Sequence, residues 1–189
     1  GGLVGGCLLI AGYVISRDPL PVRLAAAAAE ARRQGRLDEA IEALEEAVAL
    51  SPAPANTQYA LGWTFVDRGD LKEARRAFQT IAGIHSKAHA AMAYAFQLEG
   101  EASAAIAWYN RAMENGDARV AVLNNAAVAH ELGRTRFSRD DDLRTAAELL
   151  EKALAQESNT PLLLSNLLAI EMQRHQQGDG AALPRAKSL

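Results

Sequence analysis

Beyond residue 22, apolar positions recur at the three-and-four spacing of a single helix face and are broken at intervals by glycine. Gly35, Gly69, Gly100 and Gly133 stand 34, 31 and 33 residues apart. Five residues after the first three come Ala40, Ala74 and Ala105, and four further on Leu44, Phe78 and Tyr109. A small residue followed one turn later by a large one lets two amphipathic helices approach closely and fill their shared seam. After Gly133 the matching Ala146 comes thirteen residues on, followed by Leu150 and Ala153, so eight residues are inserted. The stretch 134–145 is predicted to lengthen a turn, with Ser138 and Asp140 to Asp142 capping the next helix. In residues 161–176, Leu164, Asn166, Leu167 and Ile170 repeat the places of Leu123, Asn125, Ala126 and Ala129, which predicts a capping helix. Residues 177–189 read as a flexible tail.

A period in this range marks a helical solenoid. The second copy carries Gln58, Leu61, Gly62 and Phe65, then Ala74 and Phe78 after its glycine, and in these residues it resembles the tetratricopeptide repeat. Gln58 departs from the leading Trp of that pattern. The first copy keeps Ala40, Leu44, Ala47 and the closing Pro52 but has Ala27, Ala28 and Ala31 in its first helix. The third keeps Met92, Ala93 and Phe96, then Ala105, Tyr109 and Ala112. The fourth begins with Val122, Asn125, Ala126 and Ala129. The resemblance covers residues 22–176 and implies an all-α solenoid of antiparallel helix pairs: four repeats and a capping helix.

Residues 1–15 are different material, with no charged side chain. They read as part of an N-terminal transmembrane helix over residues 1–16, ended at the interface by Tyr13, Ser16 and Arg17. A linker over 17–21 with Pro19 and Pro21 then leads to the array. Gly1 with Gly5, and Gly2 with Gly6, have the spacing that lets membrane helices pack closely. A signal-peptide remnant, or a lipoprotein cleavage box ending at Cys7, are the competing readings.

Composition narrows the function. With 20 Lys and Arg against 23 Asp and Glu, a formal net charge of -3 and 49 % hydrophobic residues, the chain is neither a disordered acidic tail nor a basic nucleic-acid binder. Its one cysteine forms no internal disulfide. His85 and His89 share a helix face but lack further ligands, and Asp140 to Asp142 lack the spacing of a calcium loop. His130 with Glu131 has no nucleophile at a recognisable distance, and no phosphate-binding or dinucleotide motif occurs. No enzyme, cofactor, metal or small-molecule substrate is expected.

Tetratricopeptide arrays work as binding scaffolds, their first helices lining a groove. By that resemblance Tyr59, Trp63 and Val66, at helical spacing, face the groove, as do Tyr94, Leu123 and His130, with Asn124 beside them to bond a peptide backbone. The competing reading has the aromatics padding the seams between repeats. Trp108 is expected on the convex side, forming with Phe137 a second contact surface. The preferred reading is a single-pass membrane-anchored scaffold for protein partners. A structural accessory subunit of a large bioenergetic or bacterial envelope complex, and an assembly factor that binds clients transiently, are the alternatives. The repeats are placed on the extracytoplasmic side, although Arg17, Arg23, Arg32 and Arg33 argue for the cytoplasm.

Overall fold

The computed structural model describes residues 19–50, 55–133, 139–182 and 184, and the described residues form nine α-helices and no strand. These are α1 (Leu20–Arg33), α2 (Leu37–Leu50), α3 (Ala55–Arg68), α4 (Leu71–Thr80), α5 (Ala88–Leu98), α6 (Ala102–Glu114), α7 (Val120–Leu132), α8 (Arg139–Gln156) and α9 (Pro161–Gln176). Among them no helix is long and apolar enough to cross a membrane. The anchor expected over 1–16, with Gly1, Gly2, Gly5 and Gly6, lies outside the described residues, as do Phe137 and Ser138. The chain divides into two compact units, Gly1–Ala77 and Phe78–Leu189.

In the first unit α1 packs on α2 and α2 on α3. Pro19 is the N-cap of α1 and Pro21 sits in its first turn, where the missing N–H has no helical acceptor to lose. The linker expected over 17–21 is therefore too long at its end: Leu20 and Pro21 are helical. α1 buries Ala28 and Ala31, α2 buries Ala40, Ile41, Leu44 and Ala47, and α3 buries Leu61, Gly62, Thr64 and Phe65. Thr64 is satisfied locally, its hydroxyl donating to the Ala60 carbonyl at 2.8 Å.

Helix ends repeat as faithfully as helix faces. At Gly69, whose φ is +91°, the Asp70 N–H donates to the Phe65 carbonyl at 2.9 Å and the Gly69 N–H to Val66 at 3.0 Å. This left-handed glycine cap satisfies carbonyls that the helix leaves over. The turns at Gly35 and Gly100 have the same bonds and positive φ. Gly133 is conserved in the period for another reason. Its φ is -77°, but a Cβ there would stand 3.1 Å from Cδ1 of Ile106 and 3.2 Å from Cβ of Ala102, so glycine lets α7 end tightly against the start of α6, which a larger residue would push back by a few tenths of an ångström.

In the second unit each of α5 to α8 packs on its successor. Tyr109, Leu123, Leu143, Leu150, Leu163 and Ile170 fill the core between alanines. Each such leucine contributes about 2 kcal/mol through burial. The small-then-large pairs read from the sequence, Ala40 with Leu44, Ala105 with Tyr109 and Ala146 with Leu150, are all fully enclosed, as are Ala74 and Phe78. The inserted stretch is only partly a turn: α8 starts at Arg139, so residues 139–145 are helix. Leu143, fully buried, extends the apolar stripe of Ala146 and Leu150 by a turn and supplies the reason. Asp142 reaches back to α7, its Oδ1 lying 3.1 Å from Nδ1 of His130. The start of the expected flexible tail is likewise fixed. Asp179 accepts from Arg174 at 2.5 Å and from the Ala181 N–H at 2.9 Å, and Ala182 is fully buried.

Candidate functional site

In the first unit the residues expected to face a partner lie on α3. Leu61, Gly62 and Phe65 turn one side of this helix into the core, which leaves Tyr59, Trp63 and Val66 half-buried on the flank. Tyr59 and Trp63 meet edge to face, with ring centroids 6.1 Å apart and planes at 80°. Such a pair fixes both rings and presents a rigid apolar surface at low entropic cost. Ion pairs gather at the C-terminal end of the same helix. Arg68 donates to Asp38 at 2.7 Å and also to Asp70, and its guanidinium stands 5.6 Å from the Phe65 centroid. Arg32 pairs with Asp67.

In the second unit the expected residues divide by depth. Tyr94 and Asn124 are half-buried. Leu123, at 3 % exposure, belongs to the core and offers a partner no surface. His130 is buried too and turns towards Asp142. His130 is held there where the additional N-terminal turn of α8 sets Asp142 against it. Asn124 is engaged internally: it accepts from Nδ2 of Asn166 on α9 at 2.8 Å and donates to Asn125 at 3.2 Å. Seven residues along both helices, Gln173 donates to Glu131 at 2.7 Å. Two polar rungs, two turns apart, thus tie α7 to α9 in a fixed register.

Trp108, expected to form a contact surface with Phe137, has ring partners of its own. It is half-buried between His89, stacked at 5.6 Å with planes at 26°, and the Arg111 guanidinium, 4.7 Å from its centroid. Sequence reading missed this sandwich because His89 and Trp108 belong to different helices. His85 accepts the Lys87 N–H at 3.3 Å, and no group of three potential metal ligands occurs among the described residues.

One buried charge is unexpected. Glu171 is 1 % exposed on α9 and pairs with Arg174 at 3.0 Å, which also bonds Asp179. Arg174 and Asp179, with Arg144, line a cavity of about 350 Å³. The Ala181 N–H and the Arg174 guanidinium hold the Asp179 carboxyl below its ordinary range.

Residues 31–95 match the family model described as tetratricopeptide repeat. The helical fold is tetratricopeptide-like. Solved structures extend the likeness over most of the chain. The MamA RS-1 ArsTM double mutant superposes with a TM-score of 0.73 at 14 % identity, over 92 % of this chain and 93 % of that one. MamA 41-end from Desulfovibrio magneticus RS-1 gives 0.71 at 14 % identity, over 92 % and 97 %. The APC/C hetero-tetramer Cut9-Hcn1 gives 0.66 at 16 % identity, over 79 % of this chain and 29 % of that one. No curated protein matches by sequence.

Proposed function

We propose that the chain is a non-catalytic scaffold for protein partners, tethered to a membrane by the apolar segment 1–16, with its tetratricopeptide array on the extracytoplasmic side. The observation that carries the scaffold reading is the Tyr59–Trp63 pair. Two large rings are fixed edge to face on a helix flank that the core of their own unit leaves half-open. Rigid aromatics of this kind are where binding energy concentrates in protein interfaces. The charge-free stretch 1–15 supports the tether.

The test is purification from membranes with wild-type and Trp63→Ala chains. Loss of the partner at an unchanged melting temperature supports the scaffold; a lowered melting temperature with the partner retained refutes the role of this pair. Constant stoichiometry in the purified complex identifies an accessory subunit, whereas substoichiometric partners displaced by peptide identify a transient assembly factor. A thiol introduced on the exposed face of α8, in a Cys7→Ser background, is expected to react with an impermeant reagent in intact cells. Protection of that thiol until lysis refutes the extracytoplasmic placement.

A further inference from the structure

A cleft of about 240 Å³ opens in the second unit, where the chain joins α4 to α5. Ile84, His85, Ser86, His89 and Asn115 line it. Its rim is unusual in two ways. Ile84 is 77 % exposed, the most exposed of the large apolar side chains among the described residues. Burying it again would contribute about 2 kcal/mol. A cation, Lys87, stands close enough to His85 in the cleft wall to act on it, in a chain whose formal net charge is -3. Lys87 directly follows Ser86 and makes no ion pair among the described residues, nor does Arg111, whose guanidinium lies on the Trp108 ring. Trp108 in turn stacks on His89 in the cleft wall, so the stack joins the outer cation to the cleft. Asp117 is already forked by Arg119 at 2.6 and 2.7 Å. Burial first, and then the charges of Lys87 and Arg119, hold the His85 imidazole below its ordinary range, so at neutral pH it offers a neutral polar edge.

From this arrangement we propose that the cleft docks an acidic segment of a partner protein, its carboxylates set against Lys87 and Arg111 and an apolar side chain against Ile84. The proposal rests on the scaffold reading and adds a second surface, apart from the α3 aromatics. An acidic segment fits because its carboxylates meet uncompensated cations, while a basic or purely apolar one leaves Lys87 and Arg111 unanswered.

The test is selection of a randomised dodecapeptide library on the full chain, followed by titration of the enriched peptides monitored by Trp108 fluorescence in a Trp63→Phe background. Enrichment of peptides combining Asp or Glu with a large apolar residue is expected. Their affinity should fall at least tenfold in Lys87→Glu and in Ile84→Ser, both at exposed positions, with circular dichroism unchanged. Enrichment of basic or uncharged peptides, or no enrichment, overturns the proposal, as does binding insensitive to both substitutions. Peptides that ignore Lys87→Glu but are lost in Trp63→Ala would sink this cleft and leave the scaffold standing. Binding of the chain to anionic phosphatidylglycerol vesicles through Lys87 and Ile84, without acidic peptides being selected, would replace the protein ligand by a lipid surface.

Discussion

Asn166 on α9 donates its side-chain amide to Oδ1 of Asn124 on α7 across 2.8 Å, joining residues 42 positions apart. Both side chains are half-buried, so an amide deprived of its partner regains water only in part. Asn166→Ala is expected to lower stability by about 1 kcal/mol. A double-mutant cycle with Asn124→Ala should show a coupling of about 0.5–1 kcal/mol in urea titrations; strict additivity would mean that the rung does not hold the two helices.

Two periodic glycines should fail differently when changed. Gly69→Ala meets nothing within 4 Å but must adopt φ near +91°, at a cost of about 1–2 kcal/mol. Gly133→Leu has an ordinary φ but drives its side chain into Ile106 and Ala102, at a cost of about 2–3 kcal/mol. D-alanine introduced at position 69 by semisynthesis should restore stability, and at position 133 it should not.

The Tyr109 phenol is held above its ordinary value of 10, chiefly by burial. A folded-state pKa above the unfolded one means that the associated stability is complete below pH 10 and is lost as pH rises further. Alkaline unfolding followed by circular dichroism should therefore begin above about pH 10. In Tyr109→Phe this dependence should weaken, at the expense of about 1 kcal/mol at neutral pH from the lost bond to Gln97, which measures 2.9 Å.

Arg174 faces the buried Glu171 at 3.0 Å. Arg174→Met removes the cation beside a carboxylate that water hardly reaches, and a loss of about 3 kcal/mol is expected. Adding Glu171→Gln should recover part of it, because the amide carries no charge to be compensated. A double variant no more stable than Arg174→Met would show that the pairing charge is not what the site needs. Thermal melts of the three proteins make the comparison.

The repeat was legible in the sequence because each helix pair carries its own instructions. A glycine that ends one helix, an alanine five residues later and a large residue one turn beyond are all local, and all three recur in Gly69, Ala74 and Phe78 as in Gly100, Ala105 and Tyr109. Helical period then selects the buried face, and the core followed it.

Depth at the candidate faces was decided only by the tertiary structure. Ala127 and Tyr94 occupy like positions in successive copies, yet Ala127 is core and Tyr94 half-open, because the helices set against them differ. The same holds for the inserted stretch, where Leu143 extends α8 and draws Asp142 to His130. It holds again for Trp108, whose partners His89 and Arg111 come from two helices. Periodicity assigns a side chain to a face of its own helix; what covers that face depends on residues far away in the chain, which meet it only after the helices pack.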